Sequence, residues 1–205
     1  IFVILSNGKV MTNKIQEANL AMVVSKTFSG LNVNALRYLL PLWIAPLTGV
    51  TFRCVFAAVA FWIIGYWAKP ETASVKDKIY LFLLGAVGIY GYMFSYLMGL
   101  SKTTPVSAAI FTSMQPIWVF ILSVFFFNEK ATVMKIVGIL VGLGGALLCI
   151  STQKSDDLAS DAFSGNLFCL VSSVIYAVYL ILSNRFLKRT GPYTLMRYTF
   201  SGAAV

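Results

Sequence analysis

The sequence predicts an all-α membrane protein built as a multi-span helical bundle. Composition is the first reason: 59% of the 205 residues are hydrophobic and 11% are charged, against about 25% charged in an ordinary soluble domain. The surface of a soluble fold grows too slowly with mass to hide so much apolar area. Lipid removes that demand. The second reason is that the apolar residues fall in runs of about 20, the length that crosses a bilayer. The third is that basic residues punctuate the runs instead of clustering. The net charge of +9 would suit nucleic acid only as a basic patch on a soluble face, so no nucleic-acid partner is expected.

Six full spans are read at residues 18–39, 46–68, 79–101, 105–127, 132–150 and 163–184, and a seventh opens at Pro192. That makes about six and a half spans. The breaks carry recognisable stop and start signals. Pro41 and Pro46 flank the first break, and Lys69-Pro70-Glu71 opens the second. Thr103-Thr104-Pro105 starts the fourth span, because Pro is tolerated in a first helical turn. Asn128-Glu129-Lys130 ends that span, Ser155-Asp156-Asp157 lies in the longest polar loop, and Gly191-Pro192 precedes the last run.

Basic residues in short loops favour the cytoplasmic side. With the N-terminus inside, the inner segments hold Lys9, Lys14, Lys69, Lys76, Lys78, Lys130, Lys135, Arg185, Lys188 and Arg189. The outer segments hold only Arg37, Lys102 and Lys154. Ten against three predicts a cytoplasmic N-terminus in a multi-pass protein of the cell's inner membrane. Residues 1–17 then form a cytoplasmic leader. Met11 opens a plausible start, which leaves residues 1–10 as translated upstream sequence. The first apolar stretch, residues 1–5, is too short for the apolar region of a signal peptide.

An internal repeat is expected between the first and sixth spans. Ala18-Asn19-Leu20 resembles Gly165-Asn166-Leu167, 147 positions later. At that offset Ser25 meets Ser172, Ser29 meets Tyr176 and Asn32 meets Tyr179. A unit of five spans is odd, so the second copy enters from the opposite side, as inverted repeats of secondary transporters do. The expected domains are a first five-helix repeat at 18–151 and the start of a second at 163–205. A second unit of equal length needs about 90 further residues after Val205.

Several stretches resemble the EamA-type transporters of the drug/metabolite transporter superfamily. They are Ser29-Gly30-Leu31-Asn32 followed by Pro46 and Arg53, then Thr104-Pro105-Val106-Ser107-Ala108-Ala109, Gln115-Pro116, Asn128-Glu129-Lys130 and Gly138. Where the family usually carries Trp before the first-span Gly, this chain has Ser29. The resemblance implies a ten-helix fold of two inverted five-helix repeats, about two thirds of which is present. It also implies a central cavity and the export or exchange of small metabolites, amino acids or drug-like solutes across the cytoplasmic membrane.

Polar groups inside a bilayer are costly and so mark candidate sites. Lys26 sits about eight residues into the first span, roughly 12 Å from its edge. It either snorkels to the headgroups or stands in a cavity as a cation for an anionic or zwitterionic substrate. Ser25, Ser29 and Asn32 repeat at helical spacing beside it, as do Ser172, Tyr176 and Tyr179 in the sixth span. Both stripes serve either interhelical hydrogen bonding or a polar pathway lining. In the third span Tyr92 and Ser95 share a stripe with Gly88 and Gly99, suiting either packing or a lining. In the fourth, Thr112 and Gln115 share a face, and Pro116 interrupts the hydrogen-bond ladder. Structural roles are assigned to Arg53, to Glu129 at a helix end beside Lys130, and to Gly138 and Gly142 as a close-packing pair.

Other classes fit less well. There is no His, and Cys54, Cys149 and Cys169 are isolated within apolar runs, which leaves no metal site, cofactor or Cys–His nucleophile to expect. An intramembrane enzyme needs paired carboxylates, metal ligands or a nucleophile with a base. No Asp lies within a span, and Glu17 and Glu129 sit at span ends. A retinal protein needs a lysine deep in its last helix; the buried lysine here is in the first. A non-transporting membrane scaffold remains the alternative. The partners expected are a small-molecule substrate, the lipid bilayer and, as an open option, a second copy in a homodimer.

Overall fold

The computed structural model describes residues 8–40, 43–67, 71, 73–127, 133–152 and 161–205. They fall in two compact units, Ile1–Leu39 and Leu40–Val205. Glu129 lies outside the described residues.

The first unit is one helix, α1, spanning Gly8–Leu39. It begins well ahead of the expected span because nothing between Lys9 and Ser29 stops it: the stretch has neither Pro nor Gly and includes the strong helix formers Lys14, Gln16, Glu17 and Ala18. Its polar side chains turn back on their own backbone. Thr27 Oγ1 donates to the Val23 carbonyl at 2.9 Å, and Asn34 Nδ2 donates to the Gly30 carbonyl at 3.1 Å.

The second unit opens with α2, Pro46–Trp67, which has Pro46 in its first turn, where a missing N–H costs nothing. Trp43, Tyr66 and Trp67 stand exposed at its two ends, as aromatic residues do at the two membrane–water interfaces. The third span is continuous from Val75 to Lys102. It comprises α3 (Val75–Leu84), a wider π-helical turn (Gly85–Ile89) and α4 (Tyr90–Lys102). The fourth is broken at Met114 into α5, Pro105–Ser113, and α6, Gln115–Phe127. Pro116 explains the break, having no N–H to give the Thr112 carbonyl. Thr104 caps α5, its Oγ1 accepting from the Ser107 N–H at 3.2 Å. The helices α7 (Val133–Thr152), α8 (Ala162–Thr190) and α9 (Pro192–Ala203) follow. Asp161 caps α8 by accepting from the Ser164 N–H at 3.1 Å. Gly191, at φ 82°, makes the corner into α9.

Among the described residues four helical segments are long and apolar enough to cross a membrane: Pro46–Trp67, Val75–Lys102, Pro105–Phe126 and Ala162–Thr190. The helix α1 carries Ser25, Lys26, Thr27, Ser29, Asn32 and Asn34 and is not among them. The helix α7 is 20 residues long, Val133–Thr152, and apolar along most of its length. The chain is thus an all-α, multi-span membrane protein. Its burial pattern agrees, with hydroxyl side chains buried among apolar ones and large apolar side chains left outside. Ser95, Ser107, Ser172, Ser173, Ser183 and Thr199 are buried, while Phe52, Phe56, Val59 and Ile63 of α2 face outward. Several buried hydroxyls bond to their own helix, as Ser173 Oγ does to the Leu170 carbonyl at 2.7 Å. In lipid every polar group must find such a partner within the protein.

The organising helix is α8. It lies against α4, α5 and α6 and touches α3 and α9. The third span and α8 run antiparallel and are tied at both ends. At one end Lys102 Nζ is 3.9 Å from Asp161 Oδ2, and Thr103 Oγ1 donates to Asn166 Oδ1 at 2.7 Å. At the other, Arg189 Nη2 is 3.7 Å from Asp77 Oδ2. Between these ties the backbones of α4 and α8 nearly touch, at Gly99 and Gly165.

The short helix α9 packs on α2, α3 and the π turn. The absent side chain of Gly85 admits the Thr199 carbonyl, and that of Gly202 admits the Phe82 carbonyl. Glu71 closes the free N-terminus of α9, its carboxylate accepting from the Thr194 N–H at 2.7 Å and the Tyr193 N–H at 3.4 Å. The positive end of the helix dipole favours this carboxylate. Arg197 stacks over Trp62, 4.1 Å from the ring centroid, and Trp62 Nε1 donates to Ser201 Oγ at 2.9 Å.

Candidate functional site

The face shared by α4 and α8 is lined with tyrosines. Tyr92 and Tyr96 are one turn apart on α4, their ring centroids 6.1 Å from each other. Tyr176 and Tyr179 lie on α8 at 6.0 Å. The two pairs meet where Tyr92 and Tyr176 approach to 4.6 Å with rings tilted by 40°. Tyr96 and Tyr179 are buried at 7% and 3% exposure, whereas Tyr92 and Tyr176 are only half-buried. The accessible element is therefore a tilted pair of rings backed by two packed ones.

Local sequence explains this placement. A π turn carries one more residue than an α turn, so it resets which face of the third span points inward. It ends at Ile89, one turn before Tyr92 and Tyr96 reach α8. Gly88 lies within it, and the Tyr179 ring fills the space a Cβ there would need, 3.1 Å away. From the broken fourth span, Gln115 lies beside the Tyr92 hydroxyl and Thr112 beside the Tyr96 hydroxyl. Thr112 Oγ1 itself donates to the Ala108 carbonyl at 2.8 Å. Arg53 of α2 is half-buried and close enough for its charge to be felt at both Tyr92 and Tyr96.

The structure thus brings together Tyr92, Thr112, Gln115 and Tyr176, with Tyr179 packed behind. Ser95 is buried, and Ser172 is buried with its hydroxyl donating to the Cys169 carbonyl at 2.7 Å. Ser25, Lys26, Ser29 and Asn32 all lie on α1, a unit of its own. Pro116 borders a cleft of about 270 Å³ that Gly138 also lines. A Cβ on Gly138 would meet nothing within 4 Å, and one on Gly142 would make ordinary contact with Ile117 at 3.8 Å. Close helix approach is found at Gly99, Gly165, Gly85 and Gly202. Sequence reasoning passed over Tyr96, whose signal is its position one turn beyond Tyr92. It also classed Arg53 as structural, with no sign that its charge reaches this face.

Residues 16–151 match the model of the EamA-like transporter family. The chain belongs to that family. A similar relative is the uncharacterized transporter YyaM of Bacillus subtilis (strain 168), 26% identical over 181 residues, 87% of this chain and 59% of the relative. An uncharacterized transporter of Archaeoglobus fulgidus is 26% identical over 176 residues, 86% of this chain and 60% of the relative. The aromatic amino acid exporter YddG of Ancylobacter novellus is 27% identical over 105 residues, 51% of this chain and 37% of the exporter. The chain spans 59% and 60% of the length of the first two of these relatives. A solved crystal structure shares the fold at a TM-score of 0.56 and 20% identity, covering 88% of this chain and 64% of that one. Polar and aromatic side chains of this chain meet on the facing spans of α4 and α8. Such side chains are expensive in lipid unless they have work or partners there.

Proposed function

We propose that the protein is a secondary transporter that exports or exchanges a small metabolite, amino acid or drug-like solute across the cytoplasmic membrane. In this proposal 18–151 forms the first five-helix repeat and 163–205 opens the second, inverted one. The observation that carries it is the half-buried Tyr92–Tyr176 pair, with Gln115 beside it, on a face between membrane helices. Aromatic rings with polar edges hold an amphipathic solute by stacking and hydrogen bonding together. The name of the exporter relative, which specifies aromatic amino acids, makes those the first solutes to test. Family and relatives also favour a non-enzymatic role.

The test is counterflow in proteoliposomes containing the full-length protein and labelled Phe, Tyr, Trp, Leu and Glu. Saturable, protein-dependent flux of at least one solute is the expected result. A folded protein giving no flux with these or a wider metabolite panel would favour the membrane-scaffold alternative.

Lys26 belongs to the same proposal as a cation at the pathway edge. Lys26→Met then impairs flux of an anionic or zwitterionic solute without loss of folded protein. Lys26→Arg is intermediate, because it keeps the charge and changes its shape. Equal flux per folded molecule in all three proteins would leave Lys26 as a snorkelling residue.

The proposed orientation places the N-terminus in the cytoplasm, supported by the charge bias of the loops. Single cysteines in intact cells check it: position 157 reacts with an impermeant maleimide and position 74 does not. The reverse pattern would invert the topology.

A further inference from the structure

A second cavity, of about 600 Å³, opens between α3 and α8, at the end of the bundle where Asp77 meets Arg189. Its walls change character along their length. The mouth is formed by Arg185, Arg189 and Asp77, with Tyr80 and Phe186 just below, stacked 6.2 Å apart. Further along, the groove is open and aliphatic, with Leu83, Val87 and Leu182 exposed in it. Val87 lies ten residues beyond Asp77, a rise of about 15 Å. That is roughly half of a 30 Å hydrocarbon core, the depth of one leaflet.

The charges at the mouth do not cancel. Asp77 is mostly buried and pairs with Arg189, whose side chain stays 62% exposed. Arg185 pairs with no carboxylate among the described residues. One positive charge is therefore left over beside an apolar slot. Lys188 adds another in the same last turn of α8 without lining the cavity. Guanidinium groups suit phosphate oxygens in shape as well as charge. Basic pockets between membrane helices are binding places for anionic lipid headgroups.

We propose that this cavity is a binding site for an anionic phospholipid. The phosphate sits on Arg185 and Arg189, and one acyl chain lies along Leu83, Val87 and Leu182. The Tyr80–Phe186 stack marks the boundary between the two parts, as aromatic rings do at headgroup level. The site shares no lining residue with the Tyr92–Tyr176 face and does not depend on the transport proposal. A soluble phosphate compound would use the mouth and leave the apolar slot empty, so a lipid accounts for both halves of the cavity.

Native mass spectrometry of the intact protein, released from detergent with equal amounts of phosphatidylglycerol and phosphatidylcholine, tests this. Phosphatidylglycerol adducts should exceed phosphatidylcholine adducts by about fivefold or more. The double variant Arg185→Gln/Arg189→Gln should abolish that preference with helix content unchanged. Lys188→Gln, which removes a nearby charge that does not line the cavity, should keep it. Leu182→Trp, which fills the slot, should reduce adducts of both lipids. The proposal is overturned if the preference survives the double variant or is lost equally in Lys188→Gln. It is also overturned if glycerol phosphate displaces the lipid at equal concentration, which would make the mouth a plain phosphate site. Finally, a cysteine at position 182 that crosslinks to another helix of the intact protein would assign the slot to polypeptide.

Discussion

Gly99→Leu is expected to pull α4 away from α8 and to lower the melting temperature of the detergent-solubilised protein by several degrees or more. A Cβ at position 99 would lie 2.5 Å from Cys169 Sγ, 2.8 Å from the Gly165 carbonyl oxygen and 2.9 Å from the Cys169 nitrogen. Two of these three neighbours are backbone and cannot rotate aside. Opposite, a Cβ at Gly165 would meet Thr103 at 2.8 Å and the Gly99 carbonyl oxygen at 3.0 Å. Helices in lipid associate by such close backbone approach, since no hydrophobic force drives them together. Overpacking costs about 1–3 kcal/mol, and more where nothing can yield. Gly99→Ala should be intermediate, the clash offset by roughly 1 kcal/mol of better helix propensity. Gly144→Ala supplies the control, because a Cβ there meets nothing within 4 Å; it should be neutral or mildly stabilising. Cysteine reactivity gives a second readout. Cys169 is 1% exposed, so with Cys54 and Cys149 replaced by Ser it should resist maleimide in the parent and react in Gly99→Leu. A Gly99→Leu protein that melts with the parent and keeps Cys169 protected would show that the α4–α8 contact is not close.

Much of this architecture was legible in the chain because lipid imposes simple rules. Spans need length, breaks need helix stops, and buried polar groups need partners. Thr104-Pro105 and Gly191-Pro192 each end or start a helix for reasons that are local, and each appears where expected. The π turn at Gly85–Ile89 was not legible. Two glycines suggest weakness there, but the extra residue is stabilised by what α8 and α9 press against it, namely Tyr179 and Thr199. Which glycines pack closely within this chain was hidden for the same reason. Gly138 and Gly142 have the spacing of a contact motif, yet a motif on one helix says nothing about whether a partner arrives. Gly99 and Gly165, on separate helices 66 positions apart in the chain, are brought into contact by the antiparallel pairing. The end ties, Lys102–Asp161 and Asp77–Arg189, mark the two ends of that pairing.

The candidate site divides along the same line. Tyr92, Thr112, Gln115 and Tyr176 could be named from polar spacing within single helices, and the fold gathers them. Ser95 and Ser172 shared the spacing but ended up buried, because helical periodicity gives a face and not the depth at which it is covered. Glu71 and Asp77 lay in a loop and at a helix start, where charged residues raise no question. Only the tertiary structure shows one of them capping α9 and the other paired with the end of α8.

Tyr176→Ala is expected to raise the transport KM about tenfold for the solute that the counterflow assay identifies, with little change in folded yield. The variant removes one half of the tilted ring pair, whose members lie 4.6 Å apart, and leaves Tyr92 alone to stack on the solute. An aromatic pair contributes about 0.5–1.5 kcal/mol beyond the area it buries, and 1.4 kcal/mol is a factor of ten in affinity. Tyr176 keeps part of its surface exposed, so its loss costs less than truncating a fully buried ring. Tyr92→Phe probes the other side of the pair. It keeps the ring and removes the hydroxyl beside Gln115, and an unpaired polar group away from water costs about 1–3 kcal/mol. Its KM should rise for solutes that hydrogen-bond to Tyr92 or Gln115 and stay level for purely apolar ones. Adding Gln115→Leu to Tyr92→Phe should restore stability without restoring affinity, because both polar partners are then gone. Tyr66→Ala is the control, an aromatic residue 84% exposed at the end of α2 and remote from this face; its KM should match the parent's. If Tyr176→Ala, folded and inserted, also transports with the parent's KM, the tyrosine face is helix packing and the solute passes elsewhere.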